Sequence, residues 1–284
     1  MRAIAYLNGE FLPLEQARVP VLDRGFLFAD GVYEVIPVYD GQPFTLSEHL
    51  QRLERSLGEI RIANPHTRPQ WQAIVARLIE ENGGAGGPAN RLVYLQVTRG
   101  ASSSRGHAFP QGCAPTVVGL CNEMAGHGAH AQRDGVCAIT LPDIRWGRCD
   151  IKSVALLPNI LATQAAREQG CNEAILHRDG LVTEGASSNV FVVLDNVAVT
   201  TPKGPDILTG ITRGLVERLR AAGLRVEERR VSLEQLRSAQ EIWITSATRE
   251  VLAVTRLDGK PVGDGRPGPL WQRAHALFQD LKRR

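Results

Sequence analysis

The sequence predicts an α+β protein built of two mixed domains with a functional site between them. Its 284 residues exceed the length of one ordinary domain and suit two domains of roughly 100–150 residues each. Strand-like segments flank three turn dipeptides, Asn8-Gly9, Asp40-Gly41 and Asp179-Gly180. Hairpins of this kind, in place of regular βαβ alternation, favour mixed sheets over a purely parallel one.

A polar, glycine-containing stretch marks the expected boundary between the domains. It reads EMAGHGAHAQRDG and has little apolar content. We therefore expect a small N-terminal domain at 1–120, a linker at 121–130 and a larger C-terminal domain at 131–284, which carries Lys152.

The first domain is predicted to open with two hairpins, AIAYLNGEFLPL and GVYEVIPVYDGQPF. A helix follows in SEHLQRLERSLGEI, where Ser47 is the expected N-cap and leucines recur at helical spacing. A second amphipathic helix is predicted in PQWQAIVARLIEENG, followed by a GGAGGP loop. The domain closes with two predicted strands, RLVYLQVTRG and APTVVGLCNE.

The second domain is predicted to begin with a strand, GVCAITLPD, and a helix, NILATQAAREQG, that ends at Gly170. A strand meander follows in NEAILHRDGLVTEGASSNVFVVLDNVAVTTP. Two further helices are expected in TRGLVERLRAAG and SLEQLRSA, and a last strand in AQEIWITSAT.

Composition excludes several classes of protein. Hydrophobic residues make up 43% and charged residues 22%, which is typical of globular proteins. The net charge of +3 is spread along the chain without a basic block, so no nucleic-acid partner is expected, and no stretch is apolar enough for a membrane span or a signal peptide. Five cysteines without a CxxC pair argue against a disulfide framework and a zinc site, and therefore favour the cytoplasm.

Lys152 is an unusual residue in this chain. Of 33 basic residues only four are lysine, and the other three lie in loops or the tail. Lys152 precedes the apolar run VALL, which we expect to be buried. Lysine can lose its proton and form a Schiff base, whereas arginine cannot. Covalent chemistry at Lys152 is one interpretation, and a lysine paired with Asp150 or reaching the surface is the other.

Several further stretches carry candidate site residues. LVTEGASSNVF places Glu184 in a turn, either as a functional carboxylate or as an exposed one. The helix that starts near Thr212 offers unsatisfied N–H groups to an anion, or is simply capped. The segment TSAT offers more donors. Arg105 and His107 lie in the polar loop VTRGASSSRGHAFP and can converge on a carboxylate, and Arg52 is a further candidate anion clamp.

Taken together, these stretches resemble the fold-type-IV pyridoxal-phosphate enzymes, and within them the D-amino-acid aminotransferases. The resemblance runs nearly end to end and rests on the order of six further segments: DRGFLFADGVYEVIPVYDG, EHLQRLERS, DIRWGRCDIKS, GCNEAILHRDGLVTEGASSNVF, ILTGITR and ITSAT. It implies the fold of that group, with pyridoxal 5'-phosphate bound between the two domains.

The resemblance also implies a role for each candidate residue. Lys152 would form the Schiff base and move the proton of the substrate Cα, and Glu184 would hold the pyridine nitrogen. The phosphate would be bound by Arg52, Ile211, Thr212, Ser246 and Ala247. The substrate would be gripped by Tyr33, Arg105 and His107, with Val35, Ser187 and Ser188 lining its side-chain pocket. Arg105 and His107 would come from the neighbouring subunit of a homodimer.

The implied reaction is ping-pong transamination between a D-amino acid, such as D-alanine or D-glutamate, and a 2-oxo acid. Two other reactions remain open on the same scaffold, those of a 4-amino-4-deoxychorismate lyase and of a branched-chain L-amino-acid aminotransferase. A non-catalytic relative that binds the cofactor is the alternative from another class. No metal is expected.

Overall fold

The computed structural model describes residues 3–83, 90–124 and 129–283, without the side chains of residues 129, 215–217 and 219. The chain forms two compact units. One comprises Met1–Gly126 with Ile151–Ala155, and the other comprises His127–Asp150 with Leu156–Arg284. Both units contain helices and strands, so the predicted α+β class is confirmed. In the described part of the chain, no helix is both long and apolar enough to cross a bilayer.

The first unit is built on a six-stranded antiparallel sheet in the order β2-β1-β6-β5-β3-β4. Its elements are β1 Ile4–Leu7, β2 Glu10–Pro13, α1 Arg24–Phe28, β3 Gly31–Tyr39, β4 Gln42–Pro43, α2 Leu46–Glu59, α3 Arg68–Glu81, β5 Asn90–Thr98 and β6 Thr116–Glu123. Both predicted hairpins are present, with Asn8 and Asp40 at positive φ in their turns. The predicted GGAGGP loop lies largely outside the described residues.

Helices α2 and α3 pack on one face of this sheet in a single apolar core. Leu53 and Leu57 of α2 contact a cluster that includes Val32 and Ile36, and all four are almost fully buried. The predicted N-cap at Ser47 is wrong. The helix begins earlier, at Leu46, because the N–H of His49 already bonds to the carbonyl of Thr45.

The segment that carries Lys152 lies along the open edge of β3. Strand β4 pairs only with the far end of β3, which leaves the edge at Gly31–Tyr33 free for another strand. The N–H of Tyr33 donates to the carbonyl of Lys152 at 3.0 Å, and Val154 donates to Gly31 at 3.0 Å. This backbone pairing places Lys152 in the first unit, whereas the sequence analysis assigned it to the C-terminal domain.

The second unit is built on a nine-stranded mixed sheet in the order β12-β11-β10-β13-β14-β7-β8-β9, with β15 paired to β14. Its elements are α4 Ala129–Asp134, β7 Val136–Pro142, α5 Leu157–Glu168, β8 Glu173–Arg178, β9 Leu181–Gly185, β10 Asn189–Leu194, β11 Val197–Thr200, α6 Ile211–Arg218, β12 Val226–Glu228, α7 Leu233–Arg237, β13 Glu241–Ser246, β14 Glu250–Leu257, β15 Lys260–Pro261 and α8 Pro269–Lys282. The predicted linker 121–130 falls partly on residues that are not described, and its described end enters α4.

Two predictions for this unit are wrong. Strand β13 is not the last one, because β14 follows it and pairs in parallel with β7. The apolar run after Lys152 is not buried, and the Leu157 side chain is 66% exposed. Helix α5 approaches its core through the small residues Ala162 and Ala166, so its larger residues face outward.

The cysteine prediction is also wrong in one respect. Cys137 at the start of β7 and Cys171 just before β8 form a disulfide across a sequence separation of 34 residues. Strands β7 and β8 are parallel neighbours, which brings the two ends of this loop together. Cys113, Cys121 and Cys149 are free.

Candidate active site

Lys152 presents its amine to an aromatic ring. Its Nζ atom lies 4.2 Å from the centroid of the Tyr33 ring, which itself stacks on Tyr94. Among the described residues, Lys152 forms no ion pair, and the alternative partner Asp150 is bonded to Arg148. The amine is therefore held in place by its backbone and available for chemistry.

Tyr33 and Val35 share one face of β3, opposite the core face, because side chains alternate along a strand. Burial and the neighbouring Tyr33 raise the pKa of Tyr94 to about 12, so the Tyr94 phenol is a neutral hydrogen-bonding group near neutral pH. The Tyr94 hydroxyl donates to Gln96 at 2.7 Å. Lys152 thus faces an aromatic surface.

Arg52 lies on α2 and is bonded to a buried carboxylate. Its Nε and Nη2 atoms donate to the two oxygens of Glu34 at 2.7 and 2.8 Å, and His49 bonds to the same carboxylate at 2.8 Å. Burial alone would raise the pKa of Glu34, but the charge of Arg52 and these bonds hold it well below its usual value. Burial lowers the pKa of His49.

Arg105 and His107 are exposed and share one neighbour, the Phe28 ring. The Arg105 guanidinium lies 4.9 Å from the ring centroid, and the His107 ring lies 5.3 Å from it. The predicted pair is therefore brought together. The nearby Arg99 has a different role, because its guanidinium is bonded to Asp30 and to main-chain carbonyls.

Glu184 lies in β9 of the second unit and is almost fully buried. Its oxygens accept from Asn189 at 2.9 Å and from the N–H of Leu208 at 3.1 Å, and they form an ion pair with Arg145. Burial raises the pKa of Glu184 to about 7, although the charge of Arg145 opposes the rise. Arg145 is fixed by two further bonds to Asp143 at 2.8 and 2.9 Å. A buried, oriented carboxylate results.

The predicted phosphate residues of the second unit lie at the ends of its elements. Ile211 and Thr212 begin α6, and Ser246 ends β13, directly before Ala247. The hydroxyl of Ser246 accepts from the N–H of Arg249 at 3.0 Å. The first turn of a helix and a strand end both present main-chain N–H groups, which suit an anion.

The predicted pocket serines differ in environment. Ser187 is exposed, whereas Ser188 is buried and donates to Glu173 at 2.6 Å. Glu173 is fully buried and paired with Arg249. The hydroxyl of Ser188 is therefore engaged inside the second unit.

The sequence analysis missed several residues that organise these groups: Arg24, Asp30, Glu34, Arg145 and Asn189. A signal was present for two of them. Glu34 stands inside the apolar strand VYEVIPV, and a carboxylate there requires a buried cation. Arg145 precedes Lys152 in the segment DIRWGRCDIKS, but nothing in that segment shows its contact with Glu184.

Comparison with known proteins identifies relatives of nearly full length. The class IV amino-transferase family model matches residues 31–257. The D-alanine aminotransferase of Bacillus licheniformis is 43% identical over 274 residues, which cover 96% of this chain and 95% of that protein. The D-alanine aminotransferase of Listeria monocytogenes is 39% identical and is covered to 93%.

Solved structures agree with this assignment. The branched-chain amino acid aminotransferase of Escherichia coli superposes with a TM-score of 0.90 at 26% identity, covering 99% of this chain and 95% of that one. A second branched-chain amino acid aminotransferase, from T.th. and solved with pyridoxamine 5'-phosphate, gives a TM-score of 0.88 at 26% identity, with coverage of 99% and 94%. The family match spans most of the chain, and the chain belongs to the class IV aminotransferases.

Proposed function

We propose that this protein is a pyridoxal-phosphate-dependent D-amino-acid transaminase. It transfers the amino group of a D-amino acid, such as D-alanine or D-glutamate, to a 2-oxo acid. The observation that carries the proposal is the Lys152 amine, held beside Tyr33 without an ion pair among the described residues. Identities of 37–43% with D-alanine aminotransferases, against 26% with the branched-chain enzymes cited above, support the D-specific form.

The residues present fit pyridoxal phosphate in three respects. The cofactor's aldehyde requires an amine that is not committed to a carboxylate, as at Lys152. Its pyridine nitrogen requires a buried acidic partner, as at Glu184. Its polar groups require donors, and the buried Thr245 hydroxyl has no partner in the described structure. Thr245 pairs across the sheet with Asn189, which contacts Glu184, so Thr245 and Asn189 share a face.

Two groups of residues would hold the cofactor. Glu184 would hold a proton between its carboxylate and the pyridine nitrogen, and a pKa near 7 suits a shared proton at neutral pH. The phosphate would be bound by Arg52, Ile211, Thr212, Ser246 and Ala247. When bound, pyridoxal phosphate supplies the electron sink that amino-group transfer needs.

Lys152 would move the proton. As a free amine, its Nζ takes the proton from the substrate Cα and returns it during the reverse transfer. The Tyr33 ring next to Nζ restricts the directions in which the amine can reach. Specificity for the D-enantiomer then follows if the carboxylate clamp presents the Cα–H of that enantiomer to Lys152.

Tyr33, Arg105 and His107 would bind the substrate α-carboxylate, and Val35, Ser187 and Ser188 would line the side-chain pocket. Arg105 is a strong candidate because its guanidinium matches a carboxylate and is exposed for binding. Since Ser188 is bonded to Glu173, we assign it the supporting part and Ser187 the exposed part of this pocket.

We further propose a homodimer in which Arg105 and His107 act in the partner's site. Each unit exposes large apolar side chains that a partner would cover. In the first unit these are Val21 and Phe26, at 74% and 77% exposure. In the second unit they include Ile144, Trp146, Leu157, Ile160 and Leu161.

A single-turnover experiment tests the proposed reaction. The protein carrying pyridoxal phosphate is mixed with D-alanine or with L-alanine, without a 2-oxo acid, and its visible absorption is followed. We expect D-alanine, and not L-alanine, to convert the spectrum to that of the aminated cofactor, and Lys152→Arg to abolish the change. Conversion by L-alanine or a branched-chain L-amino acid alone would favour the second aminotransferase.

Pyruvate release from aminodeoxychorismate, without transamination, would favour the lyase instead. Protein that takes up no pyridoxal phosphate would refute all three reactions. A cytoplasmic location stays a prediction, and the disulfide removes the argument from cysteine composition on which it rested.

A further inference from the structure

The buried guanidinium of Arg24 is bonded to the loop that carries Arg105 and His107. Its Nη1 atom donates to the carbonyl of Gly106 at 2.5 Å, and Nη2 donates to the carbonyl of His107 at 3.1 Å. Its Nε atom donates to Asp30 at 2.8 Å. One side chain therefore ties two consecutive loop carbonyls to a fixed carboxylate.

Asp30 is held from its other side by Arg99. Arg99 donates to both Asp30 oxygens, at 2.8 and 3.0 Å, and also to the carbonyls of Ile60 and Arg61. Burial alone would raise the pKa of Asp30, but the two guanidinium groups lower it. The carboxylate is thus charged and immobile, and Arg24 cannot swing away from the loop without giving up its own bond to Asp30.

The Phe28 ring contacts the side chains of the same loop. The Arg24 and Arg105 guanidinium groups each lie 4.9 Å from its centroid, and the His107 ring lies 5.3 Å from it. The two guanidinium distances are in the range of cation–π attraction. An exposed arginine has many rotamers, and contact with a fixed ring reduces their number before a ligand arrives.

Helix α1, which carries both Arg24 and Phe28, is docked tightly on the end of β5. The N–H of Arg24 donates to the carbonyl of Gly100 at 2.9 Å, and Asp23 caps the helix while accepting from Thr98. A side chain at Gly25 would start 2.2 Å from a Thr98 methyl carbon, so the close approach requires glycine. The helix is a rigid support for the loop.

We propose that Arg24 and Phe28 are positioning residues, which hold Arg105 and His107 in the geometry that binds the substrate α-carboxylate. The inference rests on the proposed transaminase function. Arg24 acts on the loop backbone and Phe28 on its side chains. Neither role requires contact with the substrate.

A positioning role has a distinctive kinetic effect. Loss of Arg24 loosens the clamp for the bound substrate and the transition state alike, so KM rises and kcat changes little. The effect must also pass through Arg105. Once Arg105 has been removed, loss of Arg24 has little further effect, which a double-mutant cycle detects.

The experiment compares four proteins loaded with pyridoxal phosphate: wild type, Arg24→Met, Arg105→Met and the double variant. Single turnover with varied D-alanine gives the rate and apparent affinity for each. We expect Arg24→Met to weaken apparent affinity roughly 10- to 100-fold in the wild-type background and less than about 3-fold in the Arg105→Met background. Phe28→Leu follows the same pattern with a smaller loss, and Arg24→Lys recovers part of the affinity.

The control is Arg77→Met, which removes a guanidinium 4.0 Å from the Phe11 ring elsewhere in the first unit. It leaves both parameters unchanged. An equal loss on removing Arg24 in both backgrounds, or no loss in either, overturns the proposal. If Arg24→Met does not fold, Phe28→Leu and Arg24→Lys complete the same cycle. Inactivity of the wild type, or normal affinity in Arg105→Met, instead refutes the proposed function or its clamp.

Discussion

The carboxylate of Glu34 and the guanidinium of Arg52 form a two-bond fork between a strand and a helix. The Nε and Nη2 atoms of Arg52 donate at 2.7 and 2.8 Å, and Glu34 has no solvent exposure. A fork of this geometry fixes the orientation of both groups. The arginine that we assign to the cofactor phosphate is therefore positioned from inside the core of the first unit.

Replacing Glu34 leaves Arg52 without its buried counter-charge. We expect Glu34→Gln to lower the free energy of unfolding of the cofactor-free protein by about 3–5 kcal/mol, measured by urea denaturation. The matched control is Glu81→Gln, which breaks the exposed pair with Arg77 and costs less than about 0.5 kcal/mol. Equal effects of the two substitutions would show that burial of the Glu34 pair is unimportant.

The raised pKa of Glu184 predicts a pH dependence of stability. Between pH 4.5 and about 7 the folded protein holds a proton that the unfolded chain releases, so the free energy of unfolding falls as pH rises through this window. The lowered pKa of Glu34 acts below pH 4.5 and does not interfere. In cofactor-free protein, the stability of wild type relative to Glu184→Gln should decline across the window by about 2–3 kcal/mol. A constant difference contradicts this.

The disulfide closes a loop that contains both Arg145 and Lys152. Reduction frees the ends of this loop, and the chain-entropy model gives a loss of about 3–4 kcal/mol in the free energy of unfolding. Urea denaturation with and without dithiothreitol measures it, with Cys137→Ser as a variant that does not respond to reductant. Denatured, unreduced protein should present three free thiols. If all of the cysteines of the chain react as thiols, the bond does not form.

The dimer proposal predicts complementation between two inactive variants. In a mixed dimer of Lys152→Arg and Arg105→Met subunits, one site contains an intact Lys152 and receives an intact Arg105 from the other subunit. After denaturation and joint refolding, we expect about a quarter of wild-type activity per site, because half of the dimers are mixed and each has one complete site. Activity no higher than that of the two variants refolded separately would place Arg105 in its own subunit's site.

Much of the fold is encoded locally and was predictable. Asn8-Gly9 and Asp40-Gly41 favour tight hairpin turns wherever they occur, and the leucine spacing of α2 defines one buried face. Where the prediction failed, the cause was tertiary. Strand β14 was missed although it pairs with β7, which lies far earlier in the chain, and a parallel partner that distant leaves no local signal.

The candidate site divides in the same way. Lys152 and Glu184 were predicted because their residue types are chemically unusual in their surroundings. Arg145 was not, because its contact with Glu184 forms only when β9 lies beside the segment that precedes Lys152. The burial of the run after Lys152 was mispredicted because an apolar stripe has the same sequence pattern whether it faces a core or a partner.

The central claim is that Lys152 moves the Cα proton of the D-enantiomer. Exchange of that proton with deuterated water, measured by NMR on D-alanine and L-alanine without a 2-oxo acid, tests it directly. We predict exchange for D-alanine alone in the wild type and none in Lys152→Arg, which remains folded and keeps its positive charge. Exchange at the wild-type rate in Lys152→Arg, or equal exchange of both enantiomers, would contradict the account.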